Sequence, residues 1–593
     1  MNEPSVTGRK WIFREFNTQD VDFIKDNFFL DEVTSKLVAI KKIKKENVSD
    51  FLNPTIKNLL PNPNILKDMD KAVKRTVKAI NNKEVIGIFG DYDVDGASST
   101  ALLGKYFLKI KQPYNIYIPD RKSEGYGPSK KGFDNLISKS SSIIFTVDCG
   151  TLSFETIKYA QDKNIDVLVL DHHQSEVKLP DAFSVVNPNR FDDKSKLNYL
   201  CAAGVCFMFL IALNMELRDK QWFEKNSLVE PNLIDYLDLV SLGTICDVVP
   251  LIDLNRAIVK QGLKILQLRK NLGLKTLLDI CKVDSIPTTY HLGFVLGPRI
   301  NAGGRVGKCS HGANLLLDHN AKNAFKLATE LNLYNDQRKI LEKDLLDEIL
   351  SNVTNKSDPV LIISGNNWHE GIIGIIASRI KEKFSKPTVI ISVNGNVGKA
   401  SARSVSGFDI GSAIISAQQL GLVLKGGGHK MAGGFSIEID KIDNFKKFIF
   451  KKFQNLNLDI NEEKKIFIDS IIAPGAVNLE FFNKVNNLSP FGPGNSEPRF
   501  SIENLKTLNS EIVGGSHVKS ILIGKDGNTI KTIAFNASQS NLGAYLLTKN
   551  NTTFNIVGKL SLNQWKGKKN VEFIIDDISV NKNIKNVVPS SIG

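Results

Sequence analysis

VIGIFGDYDVDGASST, residues 85–100, sets a short apolar run directly against three aspartates in five positions. The run reads as a strand ending near Gly90. Asp91, Asp93 and Asp95 follow at once, and Gly96 closes the group. Carboxylates this close repel one another unless a cation sits among them. The arrangement recurs downstream: SIIFTV (142–147) is followed by Asp148, and DVLVL (166–170) by Asp171, His172 and His173. Helical-looking segments separate these runs, so the pattern predicts a parallel α/β sheet. The carboxyl ends of such strands share one rim, where ligands bind. Asp93, Asp95, Asp148 and His172 are therefore expected to meet. In a fourth segment, DYLDLVSLGTICDVVPL (235–251), Asp247 stands among apolar residues and needs a partner there.

One aspartate after a strand is ordinarily a turn or helix cap. Three strand ends carrying acids, one with a double histidine, are not explained by capping. Carboxylates with imidazole suit Mn²⁺, or Mg²⁺ where oxygen ligands dominate. So many anionic groups overload one divalent ion. Two ions about 3.5–4 Å apart, bridged by one carboxylate, balance the charge better and activate water for in-line displacement at phosphorus.

The chain has 593 residues, 42% hydrophobic and 24% charged, which suits several soluble domains. A formal net charge of +14 favours an anionic partner, nucleic acid or a membrane surface. The longest apolar stretch, CAAGVCFMFLIAL (201–213), is too short to cross a bilayer. MNEPSVTGRKWIF lacks the basic-then-apolar order of a signal peptide, so no membrane role and a cytosolic (cytoplasmic) location are expected. The six cysteines form no C-x-x-C pair and read as small core residues, which argues against zinc.

Residues 1–80 read as an N-terminal helical segment with one amphipathic helix near 66–80. Residues 81–255 carry the acids. Residues 256–355 form a helical connector, interrupted by a glycine-rich loop, LGPRINAGGRVG (296–307). A second α/β region, 356–460, contains KGGGHKMAGGF (425–435). Residues 461–583 read as antiparallel strands of a small barrel or sandwich, and the last ten or so as a frayed tail.

GDYDVDG, TVDCG, DHH and GTICDVVPL, in this order, resemble the motifs of the DHH phosphoesterases, and GGGHKMAGGF resembles the DHHA1 motif. FLNPTIKNLLPNPNILKDMDKAV, LGPRINAGGR, WHEGIIGIIASRI and PFGPGNSEPRF resemble the RecJ family of single-strand-specific 5′→3′ exodeoxyribonucleases, over about residues 45 to 580. The resemblance implies an α/β fold: a parallel-sheet DHH domain and an α/β DHHA1 domain around a central cleft, with a C-terminal β-barrel (OB-fold). It implies Asp93, Asp95, Asp148, His172 and Asp247 as ligands of two Mn²⁺ or Mg²⁺ ions, with Asp148 bridging. It implies that His173 contacts the scissile phosphate, and that Asp91 and Asp171 stand behind the ligands. Gly303 and Gly433 depart from the family pattern, where alanine is more usual.

For the substrate, GKASARSVSGFDI resembles the family's phosphate-binding stretch, which makes Ser401 and Arg403, with Arg121 in DRKSEGYG, candidates for holding a 5′-terminal phosphate. Gly428 and His429 offer a close backbone approach and an anion donor. Arg299, Asn301 and Arg305 are placed in the glycine-rich loop, to follow the strand backbone. Trp565, amid Lys566, Lys568 and Lys569, offers a stacking face beside positive charge. The resulting expectation is a processive 5′→3′ exonuclease on single-stranded DNA that releases 5′-mononucleotides. Its implied setting is recombination and repair, beside a single-strand binding protein and a helicase. The alternatives are a phosphodiesterase for very short oligonucleotides or cyclic dinucleotides, and a non-catalytic single-strand binding factor.

Overall fold

The structure, a computed structural model, describes residues 5–352, 357–456, 465–548, 553–565 and 568–580. The chain folds as two units: Met1–Pro61 with Val248–Lys264 and Glu463–Gly593, and Asn62–Asp247 with Ile265–Glu462. The N-terminal segment is not helical throughout. It opens with strand β1 (Lys10–Phe13), followed by helices Thr18–Phe28 and Glu32–Ala39, whose first turns are capped by Asn17 and Asp31. β1 is too short to announce itself locally; its partner lies more than 450 residues on.

The larger unit begins after Pro61. Helix Met69–Asn81 leads into β2 (Val85–Gly90), β3 (Tyr114–Tyr117), β4 (Ser141–Val147), β5 (Asp166–Leu170) and β6 (Ser184–Val186). All four pairings are parallel, in the order β3-β2-β4-β5-β6. The chain runs from β2 outward to β3 and then returns to β4 on the other side of β2. That reversal is a topological switch point, the place where open parallel sheets bind ligands at their carboxyl ends. Phe89, Phe133, Ile144 and Val169 are fully buried in the core beneath it.

GPRINAGGRV, expected as a loop, is helical (Gly297–Val306) and follows a π-helical turn, His291–Leu296. Pro298 suits the start of a helix. Here glycine serves close packing and not a turn. A Cβ on Gly303 would lie 2.8 Å from the Lys308 carbonyl oxygen, which accounts for glycine where the family more often has alanine.

The second sheet of this unit contains β7 (Leu361–Asn366), β8 (Thr388–Asn394), β9 (Val397–Arg403), β10 (Lys425–His429) and β11 (Ala432–Glu438). Its order is β10-β11-β9-β8-β7, with only β7–β8 parallel. The KGGGHKMAGGF segment is therefore a β-hairpin, with Gly427 opposite Gly434 and Gly428 opposite Gly433. At Gly433 a Cβ would lie 2.5 Å from the Ile414 side chain, so this second departure also follows from packing.

The smaller unit is completed by β12 (Lys465–Ile468), β13 (Ser470–Ile471), β14 (Phe500–Val513), β15 (His517–Ile523), β16 (Thr529–Ala534), β17 (Phe554–Trp565) and β18 (Lys568–Val580). β14-β15-β16-β18-β17 close on themselves through β14–β17, giving a five-stranded barrel. One pairing, β16–β18, is parallel and not antiparallel as expected. β12 pairs with β1 in parallel. Arg256, 1% exposed, ties the unit together. It donates to the carbonyls of Phe51 (2.9 Å), Leu488 (2.7 Å) and Pro490 (3.2 Å). The carbonyls satisfy a guanidinium that would be very costly to bury unpaired.

Candidate metal centre and anion cavity

β2, β4 and β5 deliver their acids to one rim, as the spacing predicts. Asp93 stands at the N-terminus of helix Val94–Lys109 and accepts from the Gly96 amide (3.0 Å). Asp95, in the first turn of the same helix, accepts from the Ala202 and Ala203 amides (2.6 and 3.0 Å), at the N-terminus of a second helix, Ala202–Asp219. Two helix N-termini thus face the acids and favour their negative charge. Asp247 arrives at the C-terminus of helix Leu237–Cys246. That helix approaches closely through Gly243, where a Cβ would sit 2.4 Å from Asp95 Oδ1.

Ligand-type atoms gather in three overlapping sets: Asp91, Asp93 and Asp148; Asp148, His172 and His173; Asp95, His172 and Asp247. His172 Nε2 lies 3.3 Å from Asp148 Oδ1, 3.6 Å from Asp247 and 3.9 Å from Asp95. Asp148 therefore stands between an Asp91–Asp93 side and an Asp95–His172–Asp247 side. Asp148 Oδ1, Asp91 Oδ1 and His172 Nε2 are buried and have no hydrogen-bond partner. Buried polar atoms are ordinarily satisfied, and divalent cations on the two sides of Asp148 would satisfy all three. No cysteine joins any such set among the described residues.

The electrostatics agree. Burial and the charge of Asp93 push Asp91 and Asp148 well above the usual carboxylate range. Burial, then Asp95 and Asp93, push Asp247 to about 8. Burial holds His172 below its ordinary value, so its ring is neutral near pH 7 and keeps a lone pair for a metal. His173 behaves oppositely. Burial lowers it, but the hydrogen bond and charge of Asp171 prevail and raise it to about 9. Asp171, expected behind the histidine ligand, bonds the ring of His173 instead (Nδ1, 2.8 Å) and meets His172 only through its main-chain amide (2.8 Å). Asn187 and Asn189 brace this turn by donating to the His173 and His172 carbonyls; neither was singled out from sequence.

A cavity of about 850 Å³ opens between the two sheets of this unit. Of the predicted substrate residues, Arg121, Arg305, Ser401 and Arg403 line it. Lys122, Lys399 and Lys425 add charge, against Asp120 and Glu370. Burial, then Arg121, Arg338 and Arg403, lower Arg305 to about 10, and burial, then Arg121, lowers Arg403. Cations crowded this way call for an anion. The cavity meets the metal cluster at Tyr92 and Tyr126, and Tyr126 had no signal in the sequence beyond its place in DRKSEGYG.

The other candidates lie elsewhere. Arg299 sits on the helix, not a loop, and is committed to the Val295 carbonyl (2.7 Å) and Asn332 (2.9 Å). Asn301, half-buried on the same helix, does not line the cavity. Gly426 and Gly427 do line it, whereas Gly428 and His429 are exposed at the end of β10. Trp565 ends β17, but its side chain and Lys566 lie outside the described residues, as does the C-terminal tail. Among the described residues no helix is long and apolar enough to cross a membrane.

A switch-point acid cluster facing an α/β lobe with a glycine hairpin defines a class: the DHH family, N-terminal domain description matches residues 85–244 and the DHHA1 domain description residues 357–455. The RecJ OB domain description matches residues 468–577. The single-stranded-DNA-specific exonuclease RecJ of Salmonella typhimurium is 34% identical over 546 residues, covering 89% of this chain and 92% of that protein. RecJ of Escherichia coli is 34% identical over 544 residues, with the same coverage. The crystal structure of RecJ from Thermus thermophilus in complex with Mn²⁺ superposes with a TM-score of 0.80 at 25% identity, covering 98% of this chain and 81% of that one. The chain belongs to the RecJ family.

Proposed function

We propose that the chain is a single-stranded-DNA-specific 5′→3′ exodeoxyribonuclease that releases 5′-mononucleotides in DNA recombination and repair. The observation that carries the reading is the arginine cavity ending at the acid cluster. Arg121, Arg305, Arg403 and Ser401 suit a 5′-terminal phosphate, and a terminus held beside the cluster presents its first phosphodiester there. Asp93, Asp95, Asp148, His172 and Asp247 would hold two Mn²⁺ or Mg²⁺ ions, and Asp91 lies close enough to assist. When bound, such a pair activates water and steadies the charge of an in-line displacement at phosphorus. His173, its ring fixed by Asp171, would donate its free ring N–H to a phosphoryl oxygen. The relatives named above are single-stranded-DNA-specific exonucleases, and the one solved with Mn²⁺ supports the choice of metal.

The barrel, a member of the OB class, provides a second grip on single strands. A helicase and a single-strand binding protein are the partners this activity calls for, since the first produces and the second presents its substrate. A DNA substrate also supports the cytosolic setting. The test is digestion of a 5′-phosphorylated, 3′-labelled single strand with Mn²⁺, beside the same strand in a blunt duplex. Mononucleotides released from the 5′ end of the single strand alone are expected. Activity confined to dinucleotides, or cleavage only with label lost first from the 3′ end, would overturn the proposal.

A further inference from the structure

Tyr126 stands between Gly125 and Gly127, whose φ angles of 85° and 82° belong to glycine. Its hydroxyl donates to the main-chain oxygen of Asp148 at 3.0 Å and lies 3.3 Å from the ring nitrogens of His173. The two rings meet edge to face, 5.7 Å apart. Asp148 itself is left-handed, at φ 61°. That conformation is sparsely populated by side-chain-bearing residues, and it persists where surrounding contacts impose it. The bond from Tyr126 is one such contact, on the residue that stands between the two halves of the acid cluster. Since His173 Nδ1 is engaged with Asp171 (2.8 Å), Nε2–H is the donor left for the Tyr126 oxygen or for a phosphate.

The same loop carries Arg121 into the anion cavity. Between the two residues the backbone is braced: Asp120 accepts from the Lys122 and Ser123 amides (3.2 and 2.9 Å), and Glu124 accepts from Tyr117 (2.9 Å) and Ser129 (2.6 Å). Residues 120–124 thus form a stiff segment, which Gly125 joins to Tyr126.

We propose that the Tyr126 hydroxyl is a positioning group of the metal centre: it holds the Asp148 backbone and the His173 ring in place and, through residues 120–127, ties their placement to occupancy of the arginine cavity. The inference rests on the function proposed above. The test is Tyr126→Phe in the full chain, which keeps the ring and removes only the hydroxyl. Mn²⁺ affinity is read by electron paramagnetic resonance, and kcat and KM are read on single strands. Loss of a group that orients a metal ligand costs about 10–100-fold in affinity or activity. We expect Mn²⁺ binding about tenfold weaker, kcat lowered to a similar degree and KM within about twofold. Thymidine 5′-monophosphate should tighten Mn²⁺ binding in the parent protein and not in the variant, as linkage between two sites requires. Mn²⁺ affinity and kcat both within twofold of the parent would overturn the proposal. So would a raised KM at unchanged kcat, which would make Tyr126 a substrate contact alone, or equal tightening by the nucleotide in both proteins. The affinity readout needs no turnover, so a parent that binds Mn²⁺ but digests no single strand overturns the proposed function and leaves this inference to its own result.

Discussion

Removing the metal should make the fold sensitive to pH in a direction opposite to that of an ordinary carboxylate pair. Asp247 goes from 3.8 to about 8 on folding, through burial first and then the charges of Asp95 and Asp93. The folded, metal-free protein therefore holds a proton that the unfolded chain gives up near pH 4. A raised carboxylate contributes stability that is fully present below the unfolded value and is lost as pH rises through the folded one. The window is thus about pH 4 to 8. A shift of four units corresponds to on the order of 5 kcal/mol. Its neighbours share the same protons, so about half, ~3 kcal/mol, is a fair magnitude for the loss. Bound Mn²⁺ replaces those protons and restores the difference; at about 100 times its Kd a ligand stabilises by about 2.7 kcal/mol, a comparable amount. In a unit of this size, at about 1–2 °C per kcal/mol, the gap in Tm between Mn²⁺ and EDTA should widen from near zero at pH 5 to about 3–6 °C at pH 8. Calorimetry in matched buffers reads it. A gap that is flat, or that narrows as pH rises, would refute the reasoning.

Asp148→Ala should lower kcat at least a hundredfold, the scale of several kcal/mol of lost charge stabilisation, while single-strand binding in Ca²⁺ or EDTA stays within a few-fold. Arg403→Ala should reduce the preference for a 5′-phosphate over a 5′-hydroxyl by about 10–100-fold, since a hydrogen bond to a charged group contributes about 1.5–3 kcal/mol; competition between the two ends measures it. Gly243→Ala puts a methyl 2.4 Å from Asp95 Oδ1, so Mn²⁺ affinity should fall while the far-ultraviolet spectrum stays that of the parent.

Most of the acid cluster was legible because Asp91, Asp148 and Asp171 directly follow parallel strands, so order along the chain becomes proximity at one rim; Asp247, at the end of a helix, was marked only by its apolar surroundings and its motif. β3 was not legible, since YNIY is half-buried and ends in no acid. The histidine roles were readable only in part. Which ring Asp171 would bond depends on side-chain direction within a tight turn, and that bond went to His173. The segment 296–307 misled because its glycines signal a loop by composition, whereas they let helices touch: a Cβ on Gly297 would lie 2.5 Å from Cys246 Sγ. Arg299, Asn301 and Arg305 accordingly divide around a helix, and only Arg305 reaches the cavity. β1 and the parallel β16–β18 pair depend on partners far away in sequence, where local patterns carry no information. Tyr126 escaped notice because a tyrosine between two glycines reads as a turn, and its value lies in a bond made across 22 residues.

The central claim is that two divalent ions share Asp148. Anomalous diffraction at the manganese edge, on crystals of this chain grown with Mn²⁺, tests it most directly. Two peaks about 3.5–4 Å apart are expected, one beside Asp91 and Asp93 and one beside Asp95, His172 and Asp247, with Asp148 touching both. A single peak at saturating Mn²⁺, or two peaks of which neither is bound by Asp148, would contradict it.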